Sequence, residues 1–199
     1  MKRILIALLS AMALLVGLVS VPVSAAAAAP AIVPSTLAPV VFLSTSGNTA
    51  AVVSTSSGAV QRVDLDFPNG SVVFKTDPKT GSEAYLSTAA VQQIATVYGL
   101  KTVVSPSGDV IAVVSVDGAK ASIAVAGFPS AIQIQNGELS PFNFANAPYV
   151  SGSVVYWPIE YVASWLGVAN IGLTWMVYPT GGAVIWPYTI PPQSQEGKG

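Results

Sequence analysis

The amino-acid sequence predicts an α+β fold in which an antiparallel β-sheet carries two short helices. Two Asn-Gly pairs, Asn69-Gly70 and Asn136-Gly137, lie between alternating apolar residues, and this pattern favours β-hairpins because a type I′ turn needs positive φ at both central residues. Two stretches with apolar residues at helical spacing each end at a glycine. These features recur about 68 residues apart, so we expect a duplicated unit of hairpin, helix and strand pair.

The N-terminus has the features of a secretory signal peptide. Lys2 and Arg3 precede an apolar run from Ile4 to Val19, and alanine-rich small residues follow it. The run is shorter than the roughly 20 residues that a membrane-spanning helix needs. We therefore expect residues 1–27 to be cleaved on export, leaving no membrane span and taking the net charge from −1 to −3 through the loss of two basic residues.

Residues 28–58 are rich in Pro, Ser, Thr and Ala, a composition typical of an extended linker. Two apolar stretches within this segment, Val40 to Leu43 and Ala50 to Val53, predict one or two weak strands. Residues 191–199 are expected to form a flexible tail. The folded domain is accordingly expected to span residues 59–190.

The first copy of the repeated unit covers about residues 60–126. After its Asn-Gly pair it carries a helical stripe made of Val91, Ile94, Ala95 and Tyr98. Ser87 or Thr88 suits the N-cap of this helix, and Gly99 suits the left-handed position that ends it. Asp117-Gly118 predicts a further hairpin turn between the last two strands of the copy.

The second copy covers about residues 127–190. Its helical stripe falls on the equivalent positions Ile159, Val162, Ala163 and Leu166. Pro158 suits the first helical position, and Gly167 suits the end of the helix. Strands from Leu173 to Val177 and from Ala183 to Trp186 close the copy. Because a unit of about 65 residues buries only a marginal core, both copies are expected to form one domain.

Residues of the second copy carry a family resemblance. The matching positions are Ile132 to Gly137, Ala147-Pro148, Gly152, Val155 to Ile159, Val162-Ala163, Leu166-Gly167 and Thr174-Trp175. They resemble the copper amine oxidase N-terminal-like domain, or stalk domain, whose repeat has an Asn-Gly hairpin, an Ala-Pro, a Gly-x-x-Tyr-x-Pro before a helix ending in Leu-Gly, and then a Trp.

The resemblance covers about Val60 to Tyr188, with a degenerate first copy in which Ser87 stands where the family has proline. The chain also departs from the family at Glu160 and Met176, near positions where an arginine and an aspartate are common. One extra residue separates Gly152 from the following tyrosine. The resemblance implies a non-catalytic stalk, because copper in the oxidase lies in another domain with histidine ligands and this chain has no histidine.

The composition excludes several kinds of chemistry. With no cysteine and no histidine, the chain has no thiol nucleophile, disulfide, Ser-His-Asp triad or imidazole metal site. Eight Lys and Arg against nine Asp and Glu leave no basic surplus for a phosphate backbone, so we expect no nucleic-acid binding. No cofactor is expected.

Catalysis would have to rest on carboxylates, and the closest pair is Asp64 and Asp66. Their spacing places both on one face of a strand, but acids beside a turn are much more often a solvated strand face. A calcium site made of Asp64, Asp66 and Asp77 would match no compact calcium loop. We therefore expect neither a catalytic site nor a metal site.

Aromatic residues concentrate in the second copy, which holds all four tryptophans. Trp175 and Trp186 are expected in the core. Tyr161 and Trp165 stand about 130° from the apolar stripe of the second helix, which makes that helix apolar on two sides. Either the N-terminal segment or the other repeat covers this side, or Trp157, Tyr161 and Trp165 form an exposed surface that docks a protein or stacks on a sugar.

Together these features predict a secreted, non-catalytic cell-surface or extracellular-matrix protein whose stalk-like domain mediates protein or glycan interactions. The expected partner is a cell-surface protein or polysaccharide, with self-association as a second expectation. An alternative is a structural subunit of an extracellular fibre, in which the segment from Val40 to Val60 adds a strand to a neighbour's sheet. A distant third hypothesis is an enzyme acting on cell-wall polysaccharide, which would need a carboxylate pair in a cleft.

Overall fold

Strands dominate the computed structural model, which describes residues 39–53, 60–77, 81–165, 168 and 172–188, all within the unit Val33–Gly199. In chain order the elements are β1 (Val40–Ser44), β2 (Asn48–Val53), β3 (Val60–Leu65), β4 (Val72–Asp77), β5 (Gly81–Ser87), α1 (Thr88–Val97), β6 (Lys101–Val104), β7 (Val110–Val114), β8 (Lys120–Val125), β9 (Ser130–Gln135), β10 (Glu138–Asn143), β11 (Tyr149–Ser151), β12 (Val154–Pro158), the 3-10 helix η1 (Ile159–Trp165), β13 (Gly172–Tyr178) and β14 (Gly182–Tyr188). The signal peptide and the tail predicted at the two ends of the chain lie outside the described residues.

The strands form three sheets. Sheet I has the order β13-β14-β1-β2-β3, sheet II the order β4-β5-β12-β11, and sheet III the order β6-β7-β8-β9-β10. All of the pairings are antiparallel. The predicted antiparallel fold with two short helices is confirmed, although three sheets replace the single sheet that the sequence predicts.

The first two strands are integral parts of sheet I. β1 lies between β14 and β2, and Val41 stands opposite Ile185 on one side and Ala50 on the other. Val41 and Leu43 are buried because alternate residues of the strand face the core. The apolar stretches of the expected linker do form strands, and those strands belong to the folded domain. Residues 54–59 lie outside the described part of the chain.

Two of the three predicted turns join paired strands. Asn136 and Gly137 have φ values of 53° and 81° and connect β9 to β10, as a type I′ hairpin requires. Gly118, with φ of 74°, lies in the turn between β7 and β8. The hairpin predicted at Asn69-Gly70 is wrong, because this turn leads from β3 in sheet I to β4 in sheet II. β3 pairs instead with β2, a strand in the expected linker.

Helix α1 begins and ends as the sequence predicts. The Ser87 side chain caps it by accepting a hydrogen bond from the Ala90 N–H at 3.2 Å. Gly99 follows the helix with φ of 72°. The Tyr98 hydroxyl donates to the Pro39 carbonyl at 3.1 Å and so ties the end of α1 to the start of β1. The helix packs on the core through Val91, Ile94 and Ala95, all fully buried.

The second predicted helix is the 3-10 helix η1, which starts directly after Pro158 at the end of β12. A 3-10 helix has three residues per turn, so residues three apart share a face. The half-buried residues are Glu160 and Ala163, and the other described positions are buried, namely Ile159, Tyr161, Val162, Ser164 and Trp165. Ala163 was predicted in the apolar stripe, and the tighter helix turns it away. The predicted end at Leu166-Gly167 lies outside the described residues.

Within the described ranges, none of the helices has the length and hydropathy needed to cross a bilayer.

Candidate binding surface

The three aromatic residues predicted to form an exposed surface lie in the interior. Trp157, Tyr161 and Trp165 are 0%, 1% and 0% exposed. Burial raises the pKa of Tyr161, so its hydroxyl stays protonated. That hydroxyl donates to the Ser122 carbonyl of β8 at 2.8 Å. These residues therefore form no docking surface.

Sheet III provides the cover over this side of η1. The Ser164 hydroxyl lies 2.6 Å from the hydroxyl of Ser122 on β8. Gln133 of β9 donates its side-chain N–H to the Ser164 carbonyl at 2.5 Å. The covered alternative thus describes η1, and strands β8 and β9 contribute to the cover.

The acids singled out in the sequence lie on the surface. Asp64 accepts a hydrogen bond from Arg62 Nε at 2.9 Å, and the side chains of this ion pair are 75% and 70% exposed. Asp66 is exposed. The side chain of Asp77 lies outside the described residues. No group of three or more acidic side chains close enough to hold a metal ion occurs in the described part of the chain.

Sheet II presents a row of tyrosines on its outward face. Successive strand residues point to opposite faces, and Ala84, Leu86, Val155 and Trp157 occupy the buried face. We name the set of Lys75, Tyr85, Tyr149 and Tyr156 on the other face the tyrosine cluster.

The rings of the tyrosine cluster pack against one another. Tyr149 stacks on Tyr156 with a centroid distance of 5.2 Å and an interplanar angle of 15°. Tyr85 meets Tyr149 edge-on at 5.0 Å. The Lys75 ammonium lies 3.6 Å from the centroid of Tyr149 and 4.6 Å from that of Tyr85, within cation–π range. These contacts fix the rings against one another, and because Tyr85 is only 5% exposed, the half-buried Tyr149 and Tyr156 form the accessible part of the cluster.

A groove of about 380 Å³ opens at the Tyr156 end of this cluster. It is lined by residues of the β3–β4 turn, the start of α1, the β6–β7 turn, the β11–β12 turn and β12, namely Pro68, Asn69, Gly70, Ser71, Ser87, Thr88, Ala89, Gln92, Gly108, Ser153, Val154, Val155 and Tyr156. Among these described lining residues none is charged. The groove therefore offers hydroxyl and amide groups beside one tyrosine ring.

Hydrogen bonds within the fold hold the polar side chains of the groove in place. Thr88 Oγ1 accepts the indole N–H of Trp157 at 2.9 Å. The Tyr156 hydroxyl donates to the Gly70 carbonyl at 3.0 Å. Ser87 Oγ is the N-cap acceptor of α1. Each of these three oxygens keeps hydrogen-bonding capacity, since a hydroxyl offers one donor and two acceptor sites.

A smaller cleft of about 130 Å³ lies at the Tyr85 end of the cluster and contains Glu83, Glu160 and Trp175. Glu160 accepts the Ala145 N–H at 2.8 Å. Burial raises the pKa of Glu160, and the Glu83 carboxylate raises it further against the lowering effect of the Ala145 bond.

Glu83 is also held by neighbouring donors. It accepts the Tyr85 hydroxyl at 2.9 Å and the side-chain N–H of Asn146. Burial raises the pKa of Tyr85, and the hydrogen bond to Glu83 raises it further. The two glutamates thus join β5 and the start of η1 to the Ala145-Asn146 loop.

Sequence reasoning missed this surface because its parts come from separate segments. The one sequence feature that could have indicated this surface is the alignment of Tyr85 with Tyr156 between the two predicted copies. Nothing in the sequence placed Tyr149 between them. The groove likewise brings together four turns or element ends that only the sheet pairing makes neighbours.

Comparison with known proteins gives no match to any family model, curated protein or solved structure. The resemblance to the stalk domain stays a prediction from the sequence pattern.

Proposed function

We propose that this chain is a secreted, non-catalytic cell-surface or extracellular-matrix protein that binds a surface component through the groove and tyrosine cluster of sheet II. The observation that carries the proposal is the groove, an open concavity with polar groups already oriented by the fold. Its volume of about 380 Å³ falls in the range of about 300–1,000 Å³ typical of ligand sites. The predicted export signal supports an extracellular location.

The environment of the two cleft glutamates favours a non-catalytic role. General acid–base chemistry needs carboxyl groups free to exchange protons with a substrate. Glu83 and Glu160 instead accept hydrogen bonds from Tyr85, Asn146 and the Ala145 backbone. These bonds are typical of side chains that hold a loop against a sheet.

The pairing of β1 bears on the fibre alternative. A strand donated to a neighbour must be free to leave its own sheet. β1 pairs with β14 and β2, and β2 pairs with β3. Strand addition would therefore require exchange of β1 and β2 between copies, which favours the binding proposal.

We also propose that the fold is a duplicated unit, with boundaries that differ from those expected from the sequence. The first unit would hold β1 to β7 with α1, and the second β8 to β14 with η1. Strands β8 to β14 are then numbered one to seven within the second unit. Sheets I and III have the same order, in which the sixth and seventh strands of one unit are followed by the first, second and third strands of the other. Sheet II pairs the fourth and fifth strands of both units. This agreement of three sheet orders supports the duplication.

The register at the centre of sheet II supports the same proposal. Leu86 of β5 stands opposite Trp157 of β12, with Tyr85 opposite Pro158 and Ser87 opposite Tyr156. Two copies of one strand related by a two-fold axis would pair in this way. The register equates Tyr85 with Tyr156 and Ser87 with Pro158, as the sequence repeat does.

Blocking the groove tests the proposed function. Ser153 is an exposed turn residue at its edge, so Ser153→Trp should fill the groove without disturbing the core. We expect the labelled chain from residue 28 to bind cell envelopes isolated from the producing organism, and Ser153→Trp to bind about tenfold less tightly or worse.

The matched control is Thr45→Trp, in the exposed β1–β2 turn. It adds the same side chain to a different sheet and should leave binding unchanged. Absence of envelope binding by the parent chain, or an equal effect of the two substitutions, would contradict the proposed function.

A further inference from the structure

We infer that the ligand of the groove is a neutral polysaccharide chain, an inference that rests on the binding function proposed above. Three properties of the groove support this ligand class: the hydrogen-bonding capacity of its hydroxyls, the rigidity of its tyrosine ring, and the absence of charge among the described residues that line it.

The hydroxyl groups of the groove match those of a sugar. Ser87 and Thr88 each use an acceptor site for a bond within the fold, so each retains a donor. Tyr156 donates its proton to Gly70 and retains acceptor sites. A ligand that both donates and accepts satisfies all three, and the hydroxyls of a sugar do both. Because the fold already orients these oxygens, binding costs little side-chain entropy.

Tyr156 supplies a platform for a sugar ring. Its hydroxyl is fixed on Gly70, and its ring is backed by Tyr149, which carries the Lys75 ammonium. The face of an aromatic ring is negative and attracts positively polarised hydrogens. The C–H groups on one face of a pyranose ring present such hydrogens. A tyrosine fixed in this way offers contact area with little loss of rotamer freedom.

The charge of the lining favours a neutral polymer over an anionic one. Sites for phosphate or carboxylate usually present Arg or Lys, and the described lining residues include neither. The start of α1, at Thr88 and Ala89, offers partial positive charge from its N–H groups. An anionic polymer is therefore the competing ligand that the experiment must separate.

The experiment uses the glycans of the producing cell's own envelope. Proteinase-treated envelopes are extracted, and the polysaccharides are separated on an anion-exchange column into a neutral flow-through and a retained acidic fraction. Affinity electrophoresis of the chain from residue 28 through gels containing either fraction measures binding. We expect retardation by the neutral fraction at constant salt, and about tenfold or greater weakening by Tyr156→Ala.

Two further variants keep the inference separate from effects on folding. Tyr156→Phe retains the ring and should bind more tightly than Tyr156→Ala. Tyr178→Ala removes an exposed tyrosine from sheet I, 43% exposed, and should bind as the parent does. Urea unfolding of each variant identifies any loss of structure.

The outcomes distinguish this inference from the proposed function. Binding to intact envelopes together with retardation by the acidic fraction alone, or by neither fraction, overturns the neutral-polysaccharide inference and leaves the binding function standing. Equal retardation of the parent and Tyr156→Ala by the neutral fraction also overturns it. Failure to bind intact envelopes overturns the proposed function itself.

Discussion

Two interior tryptophans differ by a single hydrogen bond. Trp157 and Trp165 are both 0% exposed. The indole N–H of Trp157 donates to Thr88 Oγ1 at 2.9 Å, whereas that of Trp165 lies near the Tyr161 hydroxyl without forming a hydrogen bond of good geometry among the described residues. A buried donor without a partner costs about 1–3 kcal/mol. Trp165 therefore stabilises the core through packing, and the burial of its poorly satisfied indole N–H reduces that stabilisation.

Replacing each tryptophan by phenylalanine should expose this difference. Both changes remove similar volume, but Trp157→Phe also breaks a hydrogen bond, while Trp165→Phe removes an unsatisfied donor. We expect Trp157→Phe to lower the free energy of unfolding by about 1–3 kcal/mol more than Trp165→Phe does. Urea denaturation with comparison of midpoints and m-values measures the difference.

Tyr178→Phe, at an exposed position, is the control and should change stability by about 0.5 kcal/mol or less. Equal losses for the two interior substitutions would contradict the proposed difference in hydrogen bonding.

The burial of Trp165 shows where sequence periodicity fails at the residue scale. An α-helix advances about 100° per residue and places Trp165 away from Ile159 and Val162. A 3-10 helix advances about 120° per residue and places all three on one side. The segment is short, and its apolar pattern fits both helix types. Packing against β8 and β9 selects the tighter helix, and those strands are distant in sequence.

Two consecutive turns of sheet III are closed by the same hydrogen bond to a serine hydroxyl. Ser105 and Ser115 directly follow β6 and β7, and each hydroxyl accepts the N–H of the residue that starts the next strand, at 3.1 Å and 3.0 Å. The Ser115 hydroxyl also donates to Asp117 at 2.5 Å, which lowers the pKa of that carboxyl. Hydrogen bonds from Ser107, and then from Ser105, lower the pKa of the Asp109 carboxyl. Such turns are encoded locally.

Removal of β1 and β2 tests whether these strands belong to the domain. Deleting residues 28–58 would leave β14 unpaired on one side and β3 without its partner in sheet I. We expect the chain to lose cooperative unfolding, because the deletion removes interactions comparable to the whole stability of about 5–15 kcal/mol. Near-UV circular dichroism and urea unfolding, compared with the chain from residue 28, measure this.

A cooperative transition with an unchanged near-UV spectrum would mean that residues 28–58 are a dispensable linker after all.

At the scale of elements, local signals were predictable and pairings were not. The cap of α1 and the turn at Asn136-Gly137 depend on neighbouring residues, and both are present as predicted. The partner of β3 depends on a strand in the supposed linker, so the hairpin at Asn69-Gly70 was predicted wrongly. The groove was also unpredictable from local signals, because its lining residues become neighbours only through the non-local pairing of strands within sheets I, II and III.

At the scale of the molecule, both five-stranded sheets combine strands from the two halves of the chain. Sheet I joins β1 to β3 with β13 and β14, and sheet III joins β6 and β7 with β8 to β10. Neither half can complete a five-stranded sheet by itself.

Division of the chain in the β7–β8 turn tests this interdependence. We expect fragments 28–117 and 118–199 each to lack a cooperative unfolding transition, and an equimolar mixture to regain it, because every interrupted pairing can re-form between fragments. Urea unfolding followed by far-UV circular dichroism measures the transition in both fragments, because all four tryptophans lie in fragment 118–199. Cooperative unfolding of either fragment alone would show that the halves are separate domains.

The chain enters the described fold through β1 and leaves it through β14, which are adjacent and antiparallel, with Val41 opposite Ile185 and Ser44 opposite Gly182. The two ends of the fold therefore lie side by side. A pulling force applied between them would break the hydrogen bonds of this strand pair one after another, as in unzipping, and would not load them together in shear. A module with this geometry resists little tension along its chain. A force applied to one end alone, by contrast, does not pull β1 away from β14.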